Sequence, residues 1–171
     1  MSEYGKQEFE NIVFLDIDGV LNHHKTRYEY RFIDESVGAL NDLYKTHNIE
    51  IVLSSSWKNA YSFSFIQKLF QDNVIKAPVI DKTSTFFQNV DNKSCVSLDE
   101  IEKDVHYSIE YEIYCWIKVF QPKHYLILDD YKMQMFGLEE HQVLTSYWGK
   151  KEEDMAFRRK HLPECHRILE I

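Results

Sequence analysis

The chain has 171 residues, of which 44% are hydrophobic and 15% aromatic, enough to bury the core of one ordinary domain and too apolar for a disordered chain. Its 28 Asp and Glu outnumber 20 Lys and Arg for a formal net charge of −8, which argues against wrapping a long nucleic-acid backbone or lying on an anionic membrane, since both need a basic face. Three cysteines without a CxxC spacing, and only five glycines and three prolines, exclude a disulfide framework, a zinc ribbon and Gly- or Pro-rich repeats.

Along the chain, the first apolar run is Ile12-Val13-Phe14-Leu15, unbroken rather than alternating and ending at Asp16. Such a run predicts a short strand buried on both faces of a parallel sheet. Residues 34–44 place Val37, Leu40, Leu43 and Tyr44 at helical spacing, and 49–53 form a second strand-like run ending at Ser54-Ser55-Ser56. A helix is expected over 63–70, and Val74-Ile75 and Val79-Ile80 compete as the strand near Pro78. Ser97-Leu98-Asp99-Glu100 has the pattern of a capping box. Residues 108–120 read as a helix with Ile109, Ile113, Trp116, Ile117 and Phe120 on one side, stopped with help from Pro122. Tyr125-Leu126-Ile127-Leu128 is the third strong strand and ends at Asp129-Asp130. Gln142-Val143-Leu144-Thr145 is the last strand candidate, with a C-terminal helix expected after Gly149. The alternation predicts one α/β domain over 1–171, a three-layer sandwich around a mostly parallel Rossmann-like sheet.

In open α/β sheets, ligands bind beyond the carboxyl ends of the strands. Those ends bring Asp16, Asp18, Asp129, Asp130 and several hydroxyls to one edge. Carboxylates so close repel one another, and a hard divalent cation with oxygen ligands, Mg²⁺, removes the conflict. Gly19 lets the chain turn directly after Asp16-Ile17-Asp18. One carboxylate can then attack phosphorus while the other moves a proton to the leaving oxygen. Ser54 is placed to hydrogen-bond a phosphoryl oxygen.

Phe14-Leu15-Asp16-Ile17-Asp18-Gly19-Val20-Leu21-Asn22 resembles motif I of the haloacid dehalogenase (HAD) superfamily of phosphohydrolases. Ile51-Val52-Leu53-Ser54 resembles its motif II, and Leu126-Ile127-Leu128-Asp129-Asp130 its paired-acid motif IV. Leu53-Ser54-Ser55-Ser56-Trp57-Lys58 and Glu112-Ile113-x-x-Trp116 are similar to a branch found in RNA-repair proteins of the Swiss Army Knife type. The resemblance implies a Rossmann-like sheet and an aspartyl-phosphate intermediate, with Asp16 as nucleophile and Asp18 as general acid/base. It implies that Ser54, Ser55 and the Gly19 turn hold the phosphoryl group. Mg²⁺ is implied on Asp16, the backbone carbonyl of Asp18, Asp129 and Asp130. The family also supplies a Lys or Arg upstream of motif IV, but the aligned position here is Ile109. Lys103 and His106 are the nearest cationic candidates, with Lys82, Lys93 and Lys123 more remote.

Other polar clusters take plainer readings. His23-His24 read as a solvated loop, and His161, Cys165 and His166 lack a fourth metal ligand. The aromatic run Tyr61-Ser62-Phe63-Ser64-Phe65 reads as packing on the sheet, with base stacking as the sharper alternative. Residues 23–34 are too few for a large cap, so a small cap or none is expected. The resulting expectation is a Mg²⁺-dependent phosphomonoesterase acting on a phosphorylated substrate, a nucleotide or a nucleic-acid 3′ end. Extended nucleic-acid binding, a membrane partner and a signal segment are not expected, and the default compartment is cytoplasmic. The competing expectation is a catalytically silent metal- or phosphate-binding module.

Overall fold

Each unbroken apolar run becomes a strand. A computed structural model describes residues 8–27, 29–83 and 109–170 of the protein. Its strands are β1 (Asn11–Leu15), β2 (Glu50–Leu53), β3 (Val79–Lys82), β4 (His124–Asp129) and β5 (Gln142–Leu144). They form one sheet in the order β3-β2-β1-β4-β5, and every neighbouring pair is parallel. The helices among the described residues are α1 (Asp34–His47), α2 (Trp57–Ala60), α3 (Phe63–Asp72), α4 (Ile109–Phe120) and α5 (Leu162–Leu169). None is long and apolar enough to cross a membrane.

Side chains alternate across the sheet, and the alternation sorts the core into two halves. Val13 and Leu15 of β1 join Ile51, Leu53, Leu126, Leu128 and Val143 on one face. That face is covered by Leu40 and Leu43 of α1, Ile66 and Phe70 of α3, and Ile168 and Leu169 of α5. Ile12, Phe14, Val52 and Ile127 point the other way, onto Ile113 and Trp116 of α4. The result is the expected three-layer α/β sandwich.

The competition near Pro78 resolves in favour of Val79-Ile80. Val74 and Ile75 instead end α3, with their amides on the carbonyls of Gln71 and Phe70. Pro78 presents its carbonyl to the Ile51 amide at 2.8 Å, which starts the pairing of β3 with β2. The helix expected after Gly149 begins only at Leu162, after two short 3₁₀ turns, Glu152–Asp154 and Arg159–His161. The capping-box candidate at Ser97 lies outside the described residues.

The C-terminal segment is a structural brace. Met155, Phe157, Cys165, Ile168 and Leu169 are buried, and the Phe157 amide donates to the Val20 carbonyl at 2.8 Å. Arg158, also buried, pairs with Glu35 of α1 and donates to the Met155 and Glu152 carbonyls. Between α1 and α5, His47 Nε2 meets His166 Nδ1 at 2.7 Å. This tail fixes the loop that follows β1.

Candidate active site

Sheet register carries three of the expected residues to one point. Leu15 pairs with Leu53 on one side and Leu128 on the other, so Asp16, Ser54 and Asp129 are the next positions on three adjacent strands. The Asp16 amide donates to the Leu128 carbonyl and the Ser54 amide to the Leu15 carbonyl, both at 3.0 Å. By the period of two, all three follow Phe14, Val52 and Ile127 onto the face covered by α4. β1 lies between β2 and β4, where the direction of winding reverses. That is the place where open α/β sheets form a crevice.

Asp16, Asp129 and Asp130 each offer an oxygen within 4.8 Å of the others. Burial pushes the Asp16 carboxyl up to about 7, opposed by hydrogen bonds from Ser55 and the Ile17 amide and reinforced by the charges of Asp130 and Asp18. Burial pushes Asp129 up to about 8, and the Asp16 charge adds to the rise. Asp130 is raised by the same desolvation. Charges that resist ionisation together are relieved by a cation. An all-oxygen donor set of this kind fits a hard divalent ion.

Asp18 is held differently. Its Oδ1 accepts from Asn22 Nδ2 at 2.8 Å and its Oδ2 from Trp57 Nε1 at 3.0 Å, so both oxygens are fixed by N–H donors. The segment after β2, running into α2, lines the same edge. Ser55 hydrogen-bonds Asp16 and also accepts from the Trp57 amide at 3.3 Å. Ser54 is 1% exposed, and its hydroxyl has no hydrogen-bond partner among the described residues. Lys58 is buried and donates to Glu112 Oε2 at 2.5 Å, and Thr83 donates to the same oxygen at 2.8 Å. Trp57, Asn22 and Lys58 were not assigned functions from the sequence. The Glu112/Trp116 pair was the available signal, because residues four apart share one helix face. Trp116 Nε1 donates to Asp81 Oδ2 at 2.7 Å, so that face of α4 grips β3 and α2 together.

Gly19 has φ +80°, and a Cβ added there would lie 2.6 Å from Asp130 Cβ and Cγ. Gly19→Ala is therefore expected to lose about 1–2 kcal/mol from the left-handed backbone alone and to push Asp130 out of the carboxylate cluster. Urea unfolding of the variant, with and without a divalent cation, measures both effects.

Several sequence expectations need correction or fall elsewhere. His23 is buried rather than solvated: only 1% of it is exposed, and its Nδ1 accepts from the Lys25 amide. Desolvation lowers its pKa, which favours the neutral ring. His24 stacks on Trp148 at 4.5 Å. His161 and His166 do not gather with Cys165 into a metal cluster among the described residues, since His161 bonds the Arg158 amide and His166 bonds His47. Tyr61 and Phe63 pack against the core as expected, but Tyr61 also joins Tyr30, Trp57 and Phe65 in a cluster beside Asp18. Lys123 lies at the opposite end of β4, paired with Glu10, and Lys82 is exposed. Lys93, Lys103 and His106 lie outside the described residues.

Comparison with curated proteins and with solved structures finds no match. The family model described as the HAD domain in Swiss Army Knife RNA repair proteins matches residues 12–161. That span holds β2 to β5, all of β1 but Asn11, and the carboxylate cluster with Ser54 and Ser55 at the sheet edge. The chain belongs to this family of HAD domains.

Proposed function

We propose that the protein is a Mg²⁺-dependent phosphomonoesterase working through an aspartyl-phosphate on Asp16. The observation that carries this reading is the position of Asp16. It sits at the strand end between Ser54 and Asp129, inside a carboxylate cluster with raised pKa values. Asp16, Asp129, Asp130 and the backbone carbonyl of Asp18 are the oxygens that would hold Mg²⁺. When bound, the ion neutralises these carboxylates and the phosphate charge that Asp16 must approach.

In the first half-reaction an Asp16 carboxylate oxygen attacks phosphorus, and the bond from phosphorus to the ester oxygen breaks. Asp18 gives its proton to the departing alkoxide. In the second half, Asp18 takes a proton from water as the water oxygen attacks phosphorus, the aspartyl–phosphate bond breaks, and phosphate leaves with Asp16 restored. The unpartnered Ser54 hydroxyl donates to a phosphoryl oxygen, and Ser55 orients Asp16. Asn22 and Trp57 keep Asp18 aimed through both halves.

The substrate class we favour is a nucleotide or the 3′ end of a nucleic acid. The family description names RNA repair proteins, and among residues 23–33 the described ones form turns with no added helix or strand. The acidic chain then needs only a short contact with a polynucleotide. Hydrolysis of an aryl phosphate with Mg²⁺, and its loss in EDTA, tests the reaction. A 3′-phosphorylated oligonucleotide run beside a nucleotide panel tests the class; equal rates on all of them remove the nucleic-acid end.

Trp57→Phe keeps an aromatic ring, smaller than the indole, but deletes the hydrogen bond to Asp18. It is expected to lower kcat by about 10–100-fold, the usual cost of a mispositioned catalytic group, with KM changed little. Steady-state kinetics on one alkyl phosphate measure the split.

A further inference from the structure

Attack by one carboxylate on a phosphate dianion gathers more negative charge than a divalent cation alone neutralises. A buried lysine sits in α2, the helix that follows the β2 end carrying Ser54. Lys58 lies in α2, directly after Ser54-Ser55-Ser56, and its side chain is 4% exposed. Burying a Lys–Glu pair costs desolvation energy, and such pairs often stabilise no more than apolar side chains of the same volume. The Lys58–Glu112 pair therefore has no strong rationale as a fold stabiliser.

Its location gives it a rationale. Thr83 accompanies Lys58 on Glu112 Oε2, and the Thr83 amide donates to the Leu53 carbonyl at 2.9 Å. Thr83, Lys58 and Glu112 thus stand next to Ser54, on the face of the sheet that also carries Asp16 and Asp129. An ammonium has three N–H donors. Among the described residues, the hydrogen bond recorded for Nζ is the one to Glu112. At the end of the preceding strand is the Ser54 hydroxyl, buried and, among the described residues, without a hydrogen-bond partner. Donors left open at a strand end and on the helix that follows it describe a receptor for a multiply charged oxyanion.

We infer that Lys58 is the cation that binds the phosphoryl group in this site, with Glu112 and Thr83 as its positioning residues. The inference rests on the phosphomonoesterase reading for its substrate, but anion binding tests it without turnover. Glu112 holds the ammonium in place before the anion arrives and leaves two of its protons for phosphoryl oxygens. The cation thus comes from α2, directly after β2, rather than from the start of α4, where the family resemblance implies it.

The test uses Lys58→Met, Lys58→Arg and the double substitution Lys58→Met/Glu112→Met in the full chain. The double variant removes both charges, so no buried charge is left alone if the single variant folds poorly. Inorganic phosphate binding is measured in Mg²⁺ by calorimetry, alongside kcat and KM on an aryl phosphate and thermal unfolding of each protein. A loss of phosphate affinity of at least about 10-fold in a folded Met variant, single or double, is expected from removing a charge-assisted contact. Lys58→Arg should keep more of the affinity than either. Unchanged phosphate affinity in the folded double variant overturns the inference. Wild-type protein that binds phosphate but hydrolyses no phosphoester would defeat the enzymatic reading while leaving the role of Lys58 to be decided by the same titration.

Discussion

Asp16→Asn is expected to abolish turnover, by ~10⁴-fold or more as for other nucleophile deletions, while making the metal-free protein more stable. Asn has the same shape and keeps an oxygen for the Ser55 and Ile17 donors, so the fold is retained. What it removes is a charge that the site resists: desolvation and the neighbouring acids hold Asp16 up at about 7. Above that pH the wild-type protein carries an uncompensated buried carboxylate, and the variant does not. Activity and stability therefore move in opposite directions, as expected where a functional group is held in strain. Thermal unfolding in EDTA near pH 8, with kinetics in Mg²⁺, reads both. A variant less stable than wild type under those conditions would mean that Asp16 is held by favourable contacts and is not poised for a cation.

The second large effect couples pH to metal. Asp16 and Asp129 have folded-state values of about 7 and about 8, above the ordinary carboxylate value of 3.8. Groups raised on folding contribute stability that is full below their unfolded pKa and is lost as pH rises through the folded one. Metal-free protein should therefore lose stability progressively from near pH 4 to pH 8. A loss of about 2 kcal/mol corresponds to roughly 4–8 °C in Tm for a chain of this size. Mg²⁺ binds the ionised carboxylates and competes with their protons. Its stabilisation should grow over the same interval, and the acid limb of kcat/KM should move to lower pH as Mg²⁺ is raised. Melting curves across pH, with Mg²⁺ and with EDTA, measure this. A metal-free protein whose Tm rises with pH would contradict the buried-carboxylate picture.

Sheet and acids were legible because both leave local marks. An unbroken run such as Ile12 to Leu15 is buried on both faces, and an acid directly after it has only the sheet edge to occupy. Parallel register then does the rest, since Leu15 opposite Leu53 and Leu128 brings Asp16, Ser54 and Asp129 together without further information. The supports of the site were less legible because they act across the chain. Trp57 reaches Asp18 from 39 positions away and Lys58 reaches Glu112 across 54, and no periodicity marks either pair. Lys58 is also masked by its place directly after the motif II residues, whereas the family pattern puts its cation near α4. Residues 150–161 lay beyond periodicity for another reason. Short 3₁₀ turns have no apolar stripe, and their role rests on backbone contacts such as Phe157 to Val20.

The central claim is that Asp16 carries the phosphoryl group. Asp18→Asn offers the most direct view of it. An aryl leaving group departs without a proton, so phosphorylation can proceed in this variant, whereas water attack lacks its base and slows by about 10²–10⁴-fold. Acid-quenched protein, digested and weighed by mass spectrometry, should then carry one phosphoryl group on the peptide containing Asp16, removable by hydroxylamine. Turnover by the wild-type protein with no such adduct in the variant, or an adduct on Ser54 instead, would contradict the account.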